Sequence, residues 1–512
     1  MIFRLLLQGI LVSILTSPFE TTAMKNIKLI LVFFALICFG CEDYETLTKD
    51  PNRPTEVHPS LLLTNIEVST FNEVSVGAAY ACRYYVFTDG YSTSQTYGWQ
   101  RAGFGGYSTL LQVYKMMEEA GKTNLENYIA LAKFFRAYHF TQMTMTFGDI
   151  PYSEALRGDE GIFKPRYDNQ KDVLKGILQE LTEANDLLDE SKGEIEGDVI
   201  YNGDILKWKK LINSFKLRVL LSLSAKEADT ELNIAGKFRE VYENPAIYPI
   251  FTGLSDQGQL VFIDRDGNRY PLFHDKSSTT ASYMERTFVN LLKARRDPRL
   301  FRFGSPEKRA VEVGQPGYQT SYSSYGGLDA GAYVSDNLDK LTEKGEGSPL
   351  NPRYYSDPVN EPSIAVGYPE LEFNLAEAAL RGWITADVSE HYYKGIRASM
   401  EFFGIATDKI NSYLNGSLVV YDEAKAMEQI NMQKYISYYL NSGWEPFYNQ
   451  RRTGIPVFVV GPSTQNGGQI PKRWMYPQDE LDNNFENLKE AVDRQYEGND
   501  NINGEMWMLK TD

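Results

Sequence analysis

Apolar residues along this chain fall into two regimes. Some stretches keep a helical spacing, and in long passages glycine, proline, serine and tyrosine break any period. The most marked helical stretch runs through residues 127–147. There Ile129, Ala132, Phe135, Phe140, Met143 and Phe147 recur at intervals that sum threes and fours, which gives a helix one apolar face. Gly148 supplies a C-terminal stop, and Pro151, which lacks an N–H, keeps the turn from resuming. Val173, Ile177, Leu181, Ala184 and Leu188 form a second stripe, with Asp168 as the expected cap. Ile205, Trp208, Leu211, Ile212, Phe215 and Val219 form a third behind Asp204, with Lys207, Lys209, Lys210 and Lys216 elsewhere on the helix. Further helices are expected over 60–88, over 108–120 with a serine cap and Gly121 just past the end, over 281–294, over 370–383 and 388–403 around a short turn, and over 422–440. Antiparallel helix pairs that recur in this way are the pattern of helical-hairpin arrays, although the strict tetratricopeptide consensus is absent. The expected fold class is mainly α, with tetratricopeptide-like helical hairpins and an irregular, loop-rich lobe at about 244–368.

Two of the aperiodic passages are unusual for their rings. Residues 89–107 have loop chemistry yet carry Tyr91, Tyr97, Trp99, Phe104 and Tyr107. Residues 314–333 carry Tyr318, Tyr322, Tyr325 and Tyr333 among glycine and serine. Loops run over surfaces, where bulky rings expose apolar area. Either these rings form a stacking platform for a ligand, or the loops fold back and bury them. The run Gly103-Phe104-Gly105-Gly106 lacks the Lys-Ser/Thr of a phosphate-binding loop. Asp264-Arg265-Asp266-Gly267-Asn268 lacks the spacing and the terminal glutamate of a calcium loop and is read as a turn.

Charge narrows the partners. The net charge is −16, and because Arg4, Lys25, Lys28 and Glu20 leave residues 1–40 at +2, the remainder stands at −18. Such a body repels phosphate backbones, so nucleic acid is not expected as a partner. Three cysteines, at 38, 41 and 82, are too few for a disulfide framework, and no second pair completes a zinc site. No cofactor or metal is expected.

The N-terminus reads as a leader. Met24 to Lys28 is a basic start, residues 29–39 are an apolar run too short to span a bilayer comfortably, and Gly40-Cys41 ends it. Residues 1–23 read as an upstream extension, 24–40 as a signal peptide, 41–59 as a tether and 60–512 as a single domain. The acidic run Glu42-Asp43-Tyr44-Glu45 follows the cysteine at once, and prolines at 51, 54 and 59 exclude a helix before Ser60.

Catalytic motifs are missing from the sequence. There is no G-x-S-x-G and no H-E-x-x-H, and the four histidines at 58, 139, 274 and 391 form no constellation. His139 reads as a satisfied core histidine and His58 as a loop residue. With 68 acidic residues, a pair of carboxylates for glycoside hydrolysis can be drawn anywhere and so signifies nothing. The C-terminal arginines at 451, 452 and 473 are expected to tie loops to carboxylates and carbonyls.

Several phrases, in order, resemble one family. They are Gly40-Cys41 as a lipobox, DPNRPT at 50–55, FRAYHF and FGDIPYSEAL at 135–156, and GDILKWKKLINSFKLRVLLSLS at 203–224. ARRDPRLF at 294–301, EPSIAVGYPELEFNLAEAALRGWI at 361–384, HYYKGIRASM at 391–400 and RRTGIPVF at 451–458 continue the match. Together these resemble the SusD/RagB family of outer-membrane nutrient-binding lipoproteins over nearly the whole mature chain. The resemblance implies four tetratricopeptide-like hairpins carrying a ligand-binding lobe, and a lipid anchor on Cys41 at the outer face of the outer membrane. It implies no chemistry, but capture of glycans, or of peptides in some members, and delivery to a SusC-like TonB-dependent transporter. Flat rings suit sugar faces, so Tyr97, Trp99, Tyr318, Tyr322 and Tyr325 are the candidate ligand platform. An extracellular hydrolase and a helical scaffold that binds only protein are the competing readings.

Overall fold

The computed structural model describes residues 57–511; the expected upstream extension and signal peptide, Cys41 and most of the expected tether lie outside them. Residues His58–Asp512 form one contact-dense unit. Its frame is a run of helices, each packed on the next. Helix α1 (Ser60–Phe71) lies on α2 (Gly106–Thr123), α2 on α3 (Glu126–Phe147), α3 on α4 (Gln170–Leu187) and α4 on α5 (Ile205–Ser222). After the irregular lobe, which holds α6 (Arg286–Arg295), the frame resumes. Helix α7 (Tyr368–Leu380) packs on α5, on α8 (Val388–Phe402) and on α10 (Ala426–Ser437), with the short α9 (Thr407–Leu414) against α8. Helices α11 (Glu445–Thr453) and α12 (Phe485–Tyr496) belong to the C-terminal part. Two antiparallel strand pairs stitch loops to the frame: β1 (Tyr85–Phe87) with β3 (Ser282–Met284), and β2 (Gly258–Leu260) with β4 (Ser363–Val366).

The stripes on α4 and α5 are buried as their spacing predicts, and Asp204 caps α5 by accepting a hydrogen bond from the Lys207 amide at 3.0 Å. Helix α3 departs from its pattern. Instead of one apolar face it is buried on nearly every side, with Ala130, Leu131, Phe134 and Ala137 as deep as the predicted face. It sits between α2 and α4, and its few long polar chains reach α4: Lys133 to Glu183 at 2.7 Å and Arg136 to Glu180 at 2.8 Å.

The end of α3 is tied by hydrogen bonds to segments far away in the sequence. A helix leaves its last four carbonyls without intrahelical donors, and here Thr144, Met145 and Phe147 are buried and Thr146 is half-buried. Thr144 O accepts from the Gly148 amide at 2.9 Å and Gln170 Nε2 at 2.9 Å, and Met145 O accepts from Arg451 Nη1 at 2.9 Å. Thr146 O accepts from the Trp474 amide at 3.1 Å, and Phe147 O from the Tyr496 hydroxyl at 2.8 Å. Gly148 takes φ +92°, and a Cβ there would lie 2.2 Å from Gln495 Oε1 and 2.5 Å from the Tyr496 hydroxyl. Asp149 extends the knot: it accepts from the Gln170 amide at 2.8 Å and pairs with Arg494 at 2.5 Å.

Boundaries differ from the sequence reading where a side chain offers the backbone an alternative. The expected helix over 60–88 stops at Phe71. Ser75 then caps a separate turn, Val76–Ala81, Arg83 enters the left-handed region at φ 62°, and β1 follows. Helix α2 begins at Gly106 without a side-chain cap and runs through Gly121 to a left-handed Asn124, while the Ser108 hydroxyl bonds Gly105 O instead. Asp168 does not cap α4; it accepts from the Tyr152 and Ser153 amides, and Asn169 is the cap. The expected helix over 281–294 is β3 followed by α6. Asp422 caps a short 3-10 turn ahead of α10, which ends at Ser437. Residues 264–268 form a turn, as expected.

Two stability predictions follow from these contacts. Gly148→Ala forces an L-residue into a glycine conformation and into two buried side chains. It is expected to destabilise by roughly 2–4 kcal/mol, read as a lower chemical-denaturation midpoint, and an unchanged midpoint would refute the role given to this glycine. Glu67, fully buried on α1, accepts from the Val199 amide at 2.7 Å. Burial, and then the nearby Asp198 charge, push its pKa up to about 10. A raised carboxyl contributes stability that is complete below the unfolded value near 4.5 and drains as pH rises toward 10. Glu67→Gln is therefore expected to gain on the parent protein by about 1–3 kcal/mol more at pH 8 than at pH 5. Melting curves at the two pH values test this, and equal shifts would contradict it.

Candidate functional site

The two aromatic loops are brought to a common third segment, residues 459–469. Gln465 donates its amide to Thr96 O at 2.7 Å, Ser463 donates to Gly331 O at 2.9 Å, and Arg83 Nε donates to Val459 O at 3.0 Å. Most of the predicted rings, however, point inward.

Tyr97 is fully buried: it ends a short helical turn at φ 56°, donates its hydroxyl to Ala81 O at 2.8 Å, and lies 4.1 Å beneath the Arg83 guanidinium. Trp99 is buried too, with its indole N–H given to Arg473 O at 3.1 Å and its ring stacked on Trp474 at 4.7 Å and 8°. Tyr325 is buried and donates to Gln319 O at 2.6 Å. Tyr97, Trp99 and Tyr325 therefore offer no ring face to a ligand in this structure, because each ring is buried and its polar tip donates to a backbone carbonyl. Tyr318 is half-buried in a 3-10 turn. Tyr322 is half-buried, packs on Phe301 at 4.7 Å and lines a cavity beside the second loop. The most exposed rings of the two loops are Tyr91 and Tyr333, at 56% and 55%, and neither is among the five candidates.

Under the first loop lies a cavity of about 430 Å³. Its floor is α3, through Tyr138, His139, Gln142, Met143 and Thr146; its walls are the end of α1, residues 102–106, and the indoles of Trp444 and Trp474. Glycines 103, 105 and 106 bring the wall in as bare backbone, and at 103 and 105 a Cβ would meet nothing. Trp474 and Trp444 meet edge to face at 4.7 Å, with Trp99 stacked behind Trp474. Trp99 thus buttresses the wall instead of forming it. Sequence reasoning missed Trp444 and Trp474, which stand in a loop-rich C-terminal passage with no period to point them at α3.

The polar lining is set by burial. Glu73 accepts from the Tyr138 hydroxyl at 2.5 Å; burial raises its carboxyl above the ordinary range, against the pull of that hydroxyl and of Arg218. The Thr70 hydroxyl donates to Ile66 O at 2.7 Å, so it accepts from His139 Nε2 at 2.9 Å. Burial lowers the histidine to about 4, which keeps it neutral at physiological pH, a satisfied core histidine that reaches the cavity by one edge. The Asn72 and Gln142 side chains form no hydrogen bond among the described residues and are free to meet a ligand. Glu73 is the one carboxyl in this lining, whereas glycoside hydrolysis works with two carboxylates across a cleft. Rings beside a few polar groups in a preformed hollow can bind a small polar molecule with apolar faces.

A family model described as SusD-like, starch-binding associating with outer membrane, matches residues 51–477. The chain belongs to the SusD-like family. Its members are nutrient-binding proteins of the outer membrane, and the mainly helical fold is theirs. A SusD homologue from Bacteroides fragilis is 41% identical, with a TM-score of 0.82, over 89% of this chain and 100% of that one. An outer membrane protein from Bacteroides vulgatus, described by its connection to nutrient binding, is 39% identical, with a TM-score of 0.83 and the same coverage. A chitin-binding protein is 25% identical, with a TM-score of 0.73, over 88% of this chain and 100% of that one. No curated protein matches the sequence.

Proposed function

We propose that this SusD-like chain is a lipid-anchored protein of the outer cell surface that captures oligosaccharides and passes them to a TonB-dependent transporter. The observation that carries the reading is the cavity between α3 and the Trp444–Trp474 wall, held on a helical frame shared with outer-membrane nutrient binders. A sugar ring presents an apolar face to an indole and hydroxyls to Asn72, Gln142 and the Glu73–Tyr138 pair. A single carboxyl in the lining favours binding over hydrolysis. The chitin-binding relative supports a saccharide as the ligand class. Of the five rings first chosen from the sequence, Tyr322 reaches a cavity of its own, Tyr318 remains at the half-buried rim of the second loop, and Trp99 acts through Trp474. The anchor is assigned to Cys41, after removal of a signal peptide over 24–40.

Trp444 and Gln142 are only partly buried, so their variants are suited to the test. Trp444→Ala and Gln142→Ala are expected to keep the melting temperature within a few degrees. Both should weaken binding of chito- or malto-oligosaccharides at least tenfold by calorimetry, and unchanged affinity in both would remove this cavity from the mechanism. Cys41→Ala is expected to abolish acyl labelling and release the protein from membranes. A variant that stays labelled and membrane-bound would refute the anchor.

A further inference from the structure

Beside the second loop lies a separate cavity of about 570 Å³, between the end of α6, the short helix Leu300–Phe303, residues 320–322 and residues 404–416. Four cations line it, namely Arg295, Arg296, Arg302 and Lys409, and no carboxylate does. That is unexpected in a chain of net charge −16. Among the described residues none of the three arginines forms an ion pair. Arg295 Nη1 makes one long bond, 3.4 Å, to Leu291 O, and Arg302 uses Nε alone, on Phe403 O at 3.0 Å. Arg296, held at φ 53° where α6 ends, lies 5.3 Å from the centre of the Tyr322 ring, whose hydroxyl donates to Arg296 O. Lys409 has only the exposed Asp408 at 3.7 Å, which lies outside the lining. The neighbouring buried carboxylate, Asp297, is already closed by Arg299 at 2.6 Å.

Like charges gathered around a hollow repel one another unless an anion sits among them, and guanidinium forks left open match the two oxygens of a carboxylate or sulfate. The hollow is also the wrong shape for a bare ion. Its volume is that of a small-molecule pocket, and Phe301 and Tyr322 supply ring surface in its wall while Thr320 and Ser412 supply hydroxyls. We infer that this second cavity binds an acidic saccharide, one carrying carboxylate or sulfate groups, with Arg295, Arg296 and Arg302 on the acid groups and Tyr322 beside the sugar ring. The inference rests on the reading of this chain as a saccharide binder and adds to it a ligand class and a second site.

The test is calorimetry on the mature protein with oligogalacturonides and sulfated oligosaccharides against neutral malto- and chito-oligosaccharides of equal length, at low and high salt. Expected results are tighter binding of at least one acidic series, weakening with salt, and a loss of at least tenfold in Arg296→Gln/Arg302→Gln with an unchanged melting curve. Trp444→Ala, in the other cavity, should leave the acidic binding intact. Neutral binding with no acidic binding would overturn this inference alone, and absence of both would overturn the saccharide reading as well. Inorganic sulfate that binds as tightly as the sulfated oligosaccharide would overturn it in favour of an ion site. Capture by anionic phospholipid vesicles that the double variant loses would overturn it in favour of a headgroup site.

Discussion

Four carbonyls at the end of α3 set the terms for the rest of the molecule. An unpaired buried polar group costs about 1–3 kcal/mol, so a helix end deep in the core needs donors brought from elsewhere. Here they come from Gln170, Arg451, the Trp474 amide and Tyr496, residues up to 349 positions away in sequence. The C-terminal segments are thereby tied to the middle of the helical frame. One of these bonds also builds the candidate site: the Trp474 amide that closes Thr146 O fixes the position of the Trp474 ring against α3. Scaffold and site share a single set of hydrogen bonds.

This explains which features could be read from the sequence. Gly148 was legible as a stop because its requirement is local: the chain turns at a positive φ that a Cβ would strain. Helix α4 and the first half of α5 were legible because they bury one periodic face, whereas α5 is buried all round from Leu211 onward. The all-round burial of α3 was not, since it depends on neighbours on both sides. The mainly helical class and the recurring hairpins were legible in the periodicity, and the resemblance of phrases such as FRAYHF and FGDIPYSEAL added the family's arrangement of them. The long reach of Arg451, Trp474 and Tyr496 to α3 leaves no trace in any window of the sequence.

The rings show the same limit at the site. Tyr91 and Tyr97 stand six residues apart in one loop, yet one is 56% exposed and the other fully buried. Composition is identical for the two; what separates them is that Tyr97 finds the Ala81 carbonyl and the face of Arg83 within reach. An amphipathic ring in a loop goes inward wherever a buried acceptor is available for its polar tip, and acceptors are a property of the folded backbone. The two aromatic loops each border a cavity, but Tyr97, Trp99 and Tyr325 are buried beside them, and the indoles that line the first cavity come from Trp444 and Trp474.

Several buried charges in this protein are matched by a partner, while others, such as Arg83 and Lys434, bond to carbonyl or amide oxygens instead. Arg218 pairs with Glu370, Arg299 with Asp297 and Arg452 with Glu377. At Glu377 burial is the largest influence and by itself would raise the carboxyl, yet Arg452, Lys434 and Arg381 together outweigh it and bring the value down to about 2. Such pairing is what desolvation demands, because breaking one partner away leaves an uncompensated ion. The arginines of the second cavity differ from these pairs: they are partly or fully exposed, and none forms an ion pair among the described residues. The overall negative charge does not cancel them, since ions in solution screen surface charges beyond about 8 Å at physiological salt. What lines this cavity is Arg295, Arg296, Arg302 and Lys409, with no carboxylate among them.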